Sequence, residues 1–249
     1  MELKDFFKEN PKLALAYSGG TDSSYLLYAA KGSGADIRAY MTVSPFQPVF
    51  EIEDAKRTAK KLDAKLEIIE LDVLKDERIK ENSELRCYYC KSLILKTIAE
   101  RAASQGYFTI IDGTNASDKS EDRPGMRALK ELGVLSPLKL CNITKEELRQ
   151  RLKEAGLDIW NKPSYSCLAT RIKAGEIIEP ERPKKIDEAE EQIRALDFSD
   201  IRLRTYKNGA KLELQKEDTE RAFQNKEALD NIIIEKFGFY EIGERRRDT

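Results

Sequence analysis

No histidine occurs among the 249 residues of this chain. Its absence removes Ser-His-Asp and Cys-His catalysis and every histidine-ligated metal site. Long hydrophobic runs are missing as well. With no run of about 18 consecutive apolar residues, neither a membrane-spanning helix nor a membrane partner is expected. The stretch MELKDFFKENPK at the start is charged and carries no apolar signal core, which predicts a protein that is not exported and works in the cytoplasm. An excess of either charge is lacking, with 44 Lys and Arg against 45 Asp and Glu. That balance gives no polyanion signature, so a nucleic-acid partner is not expected. Cysteine is scarce, at four in the chain. In a reducing compartment such cysteines serve metals or catalysis before disulfides.

What is present is an alternation of strand-like and helix-like segments. Leu13–Tyr17, Asp36–Val43, Leu66–Leu71 and Tyr107–Asp112 read as short buried strands. Ser23–Lys31, Phe50–Leu62, Leu85–Ser104 and Arg123–Leu132 have helical spacing. After an apolar piece at Val134–Leu140, a helix at Thr144–Ala155 opens on a capping box of Thr144 and Glu147. This order predicts an α/β fold, a parallel sheet with helices on both faces, whose ligands bind beyond the C-terminal strand ends. Near residue 175 the pattern changes, and GEIIEPERP reads as a linker. Beyond it come a helix at Lys184–Leu196 and a hairpin of Ile201–Tyr206 and Ala210–Gln215 around Lys207-Asn208-Gly209. Two helical pieces and an apolar stretch at Phe239–Ile242 follow. The sequence therefore divides into residues 1–174, carrying the sheet, and residues 175–249, a small α+β domain expected to pack on the first or to mediate a homo-oligomer.

The stretch AYSGGTDSSYLL, residues 16–27, lies where a strand gives way to a helix. Gly19 and Gly20 have no Cβ, so the backbone there can turn tightly and approach a phosphate. Successive N–H groups, the hydroxyls of Ser18 and Ser23 and the positive helix end all favour an anion. Asp22 has the wrong sign for a phosphate, but the right one for the magnesium that accompanies ATP. A Walker A loop is excluded, because the lysine after the glycine is missing. A plain turn with Thr21 or Asp22 as N-cap needs one such residue rather than this set.

Cys87 and Cys90 stand in RCYYCK, Cys141 in PLKLC and Cys167 in SYSCLATR. Without histidine, structural zinc needs all four. Cys141 sits in an apolar run, where cysteine is usually a small hydrophobe. The other three suit a 4Fe–4S cluster with one iron open to sulfide. A reactive persulfide or sulfur-donor cysteine, zinc and inert thiols are the remaining readings, in that order.

SGGTDS resembles the signature of the PP-loop ATP pyrophosphatases. Together with RCYYCK, DGTNASD (112–118), EDRPGMRALKELGVLSPL (121–138) and KPSYSCLATR, it makes the chain similar to the LarE family of ATP-dependent sulfur transferases over about residues 10–175, and more loosely beyond. The resemblance implies an adenine nucleotide alpha hydrolase-like fold. It also implies adenylylation of a carboxylate of pyridinium-3,5-biscarboxylic acid mononucleotide, followed by sulfur insertion to give a thiocarboxylate, in nickel-pincer nucleotide cofactor synthesis. By the resemblance, Ser18, Gly19, Gly20, Asp22 and Ser23 hold ATP and magnesium. Asp112, Asn115, Asp118 and Arg123 line the same crevice, their alternative being a capped loop. In the sacrificial type of the family, the cysteine at position 167 gives up its own sulfur. Members that also carry cysteines like Cys87 and Cys90 bind a cluster and turn over, with sulfide or another donor supplying the sulfur. Arg171 reads either as a ligand of a substrate phosphate or as a surface ion pair. Arg202 and Arg204 share a strand face suited to an anion. Glu190 and Glu213 match carboxylates that the family uses for metal at a subunit interface, although solvated surface is the plainer reading. The rival functions are a cluster-dependent tRNA thiolase, for which the carboxy-terminal GERRRDT is the one basic patch, and a non-catalytic nucleotide-binding or iron–sulfur carrier protein.

Overall fold

The computed structural model describes residues 1–118 and 124–245. In chain order its elements are α1 (Leu3–Glu9), β1 (Lys12–Ala16), α2 (Thr21–Gly32), β2 (Asp36–Val43), α3 (Val49–Lys61), β3 (Lys65–Glu70), α4 (Glu77–Lys80), α5 (Arg86–Ala103), β4 (Ile110–Ile111), α6 (Pro124–Glu131), α7 (Pro137–Leu140) and α8 (Lys145–Glu154). There follow α9 (Glu181–Arg194), β5 (Arg202–Tyr206), β6 (Gly209–Leu214), α10 (Thr219–Gln224), α11 (Lys226–Phe237) and β7 (Tyr240–Glu244). The chain forms two compact units. The first comprises Met1–Ser44, Val49–Val73 and Leu85–Tyr165; the second comprises Pro45–Pro48, Leu74–Glu84 and the chain from Ser166 on.

The first unit is built on a parallel sheet of strand order β3-β2-β1-β4. Period-two alternation sends successive side chains to opposite faces. Leu13 and Leu15 of β1, with Ile37, Ala39 and Met41 of β2, meet Phe6 and Phe7 of α1, Leu26 and Leu27 of α2 and Leu148 and Leu152 of α8. Ala14 and Tyr40, between them in sequence, meet Ile98 and Ala102 of α5 on the other face. The charged first stretch is thus a helix, because Leu3, Phe6 and Phe7 recur at helical spacing and are buried together. The fourth strand is shorter than the sequence suggests. Phe108 is exposed, and only Ile110 and Ile111 pair with β1. The apolar piece that follows splits into a bridge from Leu135 to Ile111 and the proline-initiated α7.

β1 runs through α2 to β2 on one side, while β4 lies on the other side of β1. The strand order therefore reverses between β1 and β4, and the crevice beyond their C-terminal ends is where such sheets take ligands.

In the second unit β5 and β6 form the expected antiparallel hairpin, and β7 adds in parallel beside β6. Leu203, Leu212 and Leu214 pack on Ala189 and Ile193 of α9 and on Leu229 and Ile233 of α11. The stretch read as a linker is pinned within this unit. Gly175 N donates to Asn82 O at 2.9 Å, Ile178 N donates to Lys80 O at 2.8 Å, and Ile178 is buried. Its two prolines suggest a connector, but Ile178, two residues before the first of them, supplies a core anchor.

Candidate active site

The loop after β1 is held by its own hydroxyls. Gly20 N donates to Ser18 Oγ at 3.3 Å, and Ser18 Oγ lies 3.1 Å from Ser23 Oγ. Gly19 has φ +73°, and a Cβ there would stand 2.3 Å from Ala55 Cβ. Both the backbone conformation and the close approach of α3 require glycine. The N-cap of α2 is Gly20, with no side-chain cap. Thr21 and Asp22 lie inside the first turn, and Thr21 Oγ1 donates to Ile159 O at 3.4 Å. Neither residue caps the helix, so the plain-turn reading does not describe this loop. Behind it Tyr17, buried, shares a 3.1 Å hydrogen bond with Ser24, and burial pushes its phenol up to about 12.

Asp22 is the most unbalanced group of the loop. Its Oδ2 accepts from Lys145 Nζ at 2.6 Å, while its Oδ1 is buried without a hydrogen-bond partner among the described residues. Burial raises the carboxyl above its ordinary range, and the Lys145 ammonium pulls it part of the way back. A buried carboxylate oxygen lacking a donor is costly unless a cation or water completes it.

The loop after β4 supplies the other wall. A Cβ on Gly113 would lie 2.8 Å from Ser23 N, so this loop sits directly on the first turn of α2. Asp112 is buried and accepts from Ser136 Oγ at 2.6 Å, Thr114 Oγ1 at 2.5 Å and Thr114 N at 3.2 Å. Asn115, also buried, accepts from Ser117 N at 2.8 Å, and its own N–H donates to Asp118 at 2.9 Å. Asp112 and Asn115 thus shape the wall through hydrogen bonds within it, and Asp118 is exposed at its end. Ser117 Oγ accepts from Lys145 N at 3.0 Å, which ties the loop to the start of α8 and aims Lys145 at Asp22. Lys162 closes a further side, within 2.8 Å of Glu51 and 3.5 Å of Gly19 O. Arg123, read as lining this crevice, and the basic GERRRDT end beyond Arg245 lie outside the described residues.

Gly113 and Lys162 fall within marked stretches, DGTNASD and KPSYSCLATR, without being singled out there, and Lys145 lies outside them. The capping box at Thr144 locates Lys145 on the first turn of a helix, but its partner stands 123 residues away.

None of the four cysteines is in a disulfide. Cys87 and Cys90 share a face at the start of α5; the first is exposed and the second half-buried. Cys141 packs against the first unit's core, and burial pushes its thiol up. Cys167 belongs to the second unit, where it is exposed at the head of a 3-10 turn, Leu168–Arg171. Among the described residues, neither unit gathers three or more Cys, Asp or Glu side chains into a group that could hold a metal ion.

The charged residues around Cys167 are more deeply buried than a surface reading of them has it. Arg171 is no surface ion pair: it and Glu190 are fully buried, with Arg171 Nε 3.0 Å from Glu190 Oε1. Glu190 is likewise not solvated, and its Oε1 also accepts from Leu203 N at 2.8 Å. Glu213 is largely covered and pairs with Arg204 Nε at 2.9 Å. Arg202 is buried, while Arg204 Nη1 donates to Thr170 O at 3.0 Å. Helical and strand periodicity underestimates such burial, because charges enter a core only when partners from distant segments neutralise them.

No family model matches the chain. It is 35% identical over 240 residues to an uncharacterised protein of Synechocystis sp., covering 95% of this chain and 89% of that one. It is 30% identical over 209 residues to the pyridinium-3,5-bisthiocarboxylic acid mononucleotide synthase of Lactiplantibacillus plantarum, covering 83% of this chain and 76% of the synthase. The argininosuccinate synthase of Methanosarcina acetivorans is 29% identical over 162 residues, which is 59% of this chain and 41% of that enzyme.

Proposed function

The chain belongs to the LarE family within the PP-loop superfamily, and we propose that it is an ATP-dependent sulfur transferase acting on a pyridinium mononucleotide. A carboxylate oxygen of pyridinium-3,5-biscarboxylic acid mononucleotide attacks the α-phosphorus of ATP, and pyrophosphate leaves. Sulfide then attacks the acyl carbon, AMP leaves, and a thiocarboxylate remains. The observation that carries this reading is the buried, unpartnered Oδ1 of Asp22 on a glycine loop at the sheet's switch point.

In this reading the N–H groups at Gly19 and Gly20 and the hydroxyls of Ser18 and Ser23 hold the phosphates, and Asp22, with its orphaned oxygen, would hold magnesium. The orphaned oxygen fits a cation. Bound there, magnesium would neutralise phosphate charge. Lys145, paired with Asp22 at 2.6 Å, adds a positive charge beside the same loop. Asp112 and Asn115 keep the second wall in register. Positioning and charge neutralisation, rather than proton transfer, lower the barrier to adenylylation.

For sulfur delivery we propose Cys87, Cys90 and Cys167 as the thiolates of a 4Fe–4S cluster. The donor set suits it: three thiolates, two of them at helical i, i+3 spacing, and no histidine in the chain. Such a cluster supplies one iron open to sulfide.

The test is product analysis. ATP with the dicarboxylate mononucleotide should give AMP and pyrophosphate; ADP and phosphate would overturn the reading. Stimulation by bulk tRNA, weakening steeply between about 50 and 200 mM salt, would favour a thiolase. Anaerobic protein should contain iron and sulfide that are lost in Cys87→Ala, Cys90→Ala and Cys167→Ala but kept in Cys141→Ala. If Cys167 instead loses the mass of hydrogen sulfide after one turnover, the sulfur comes from the cysteine itself.

A further inference from the structure

The role of Glu190 follows from what surrounds Cys167 in the second unit. Cys167 is exposed, yet the turn that carries it is tied down at every other residue. Thr170 Oγ1 donates to Cys167 O at 2.7 Å, and Thr170 N donates to the same oxygen at 2.9 Å. Leu168 N donates to Phe46 O at 2.9 Å. Arg171 Nη1 donates to Ser166 Oγ at 2.6 Å, to Ser166 O at 2.9 Å and to Thr170 Oγ1 at 3.1 Å. One guanidinium nitrogen thus clasps the residues on both sides of the cysteine.

The remaining guanidinium nitrogens are turned the other way. Nε and Nη2 reach Glu190 Oε1 and Oε2 at 3.0 and 3.4 Å, a two-point contact between planar groups that fixes orientation as well as distance. Glu190 sits on α9 and is itself held by Leu203 N of β5. A buried ion pair is weak evidence for stability, since apolar residues of like volume often do as well, so its retention calls for another reason. Here the pair lies between α9 and the turn that carries the exposed Cys167 thiol.

We propose that Glu190 is a positioning residue for Cys167: through Arg171 it fixes the 166–171 turn so that the thiol is presented in a single orientation. This rests on the sulfur-delivery role proposed above for Cys167. The Glu190 carboxylate meets the Arg171 guanidinium and Leu203 N, and neither it nor Arg171 is assigned to the ATP loop.

Two variants test this. Arg171→Met/Glu190→Leu replaces the pair with apolar volume and is expected to stay folded, while the clasp on Ser166 and Thr170 is lost. Thr170→Val leaves the buried pair intact and removes the hydroxyl's bonds to Cys167 O, Ser166 Oγ and Arg171, so it remains informative if the double variant fails to fold. The first readout is the alkylation rate of each cysteine in chelator-treated protein, followed by mass spectrometry. Cys167 should change rate severalfold in both variants, with Cys87 unchanged. The second is the partial reactions: thiocarboxylate formation should fall by about tenfold or more, with pyrophosphate release within about twofold of the parent. A folded variant in which Cys167 alkylates at the parental rate overturns the proposal, as does an equal loss of both partial reactions. The alkylation comparison needs no substrate, so it decides the positioning role even where the parent protein makes no thiocarboxylate.

Discussion

The two units handle charge in opposite ways. At the β1 loop of the first, a half-buried carboxylate has one buried oxygen without a hydrogen-bond partner among the described residues and the other on a single lysine. Around Cys167 in the second, Arg171, Glu190, Arg204 and Glu213 meet one another or the backbone, and the exposed group is the cysteine side chain on a braced turn. The first arrangement leaves room for a charged ligand. The second spends its charges on geometry. Nucleotide chemistry needs the former, because a phosphate and its metal must find unsaturated partners. Delivery of sulfur needs the latter, because a single nucleophilic atom must be aimed.

The largest effect expected is on the saturated side. Glu190→Ala leaves Arg171 buried without its carboxylate and should destabilise the fold by about 3–5 kcal/mol in urea denaturation, whereas Arg171→Met/Glu190→Leu should sit near the parent. Equal stability of the two variants would erase the distinction between a broken pair and a replaced one.

The loop contact comes next. Gly113→Ala puts a methyl against backbone that cannot swing away, Ser23 N at 2.8 Å. We expect a loss of about 1–3 kcal/mol together with weaker ATP binding, measured by calorimetry. Gly32→Ala, near the end of α2, meets nothing within 4 Å and should instead gain about 0.4–1 kcal/mol without touching activity.

Asp22 gives the smallest change in stability. Its folded pKa is raised, so the folded state holds its proton more tightly than the unfolded state does. Stability from this group is greatest below the unfolded pKa and declines as pH rises through the folded one. Asp22→Asn should therefore be more stable than the parent at neutral pH, by about 0.5 kcal/mol, and the gap should close on acidification. Thermal melts across that range check the sign, and a parent that outlasts the variant at neutral pH contradicts it.

Much of the fold was legible because it depends on local periodicity. Asp36–Val43 alternates and is a strand over that same range, and the capping box at Thr144 marks the start of α8. The glycine loop was legible for a related reason: its glycines and hydroxyls act within six residues of one another. What the sequence hid depends on distant partners. Nothing near Lys145 announces Asp22, and nothing near Glu190 announces Arg171, because those contacts exist only once separate segments pack. The second unit likewise takes residues 45–48 and 74–84 from far upstream, which a reading along the chain cannot assemble.

The division between an unsaturated nucleotide loop and a braced sulfur-bearing turn is tested most directly by pyrophosphate release with the dicarboxylate mononucleotide, measured side by side in Asp22→Ala and Cys167→Ala. We predict that Asp22→Ala abolishes release while Cys167→Ala keeps it and makes no thiocarboxylate. Release that survives in Asp22→Ala, or vanishes in Cys167→Ala, would contradict the account.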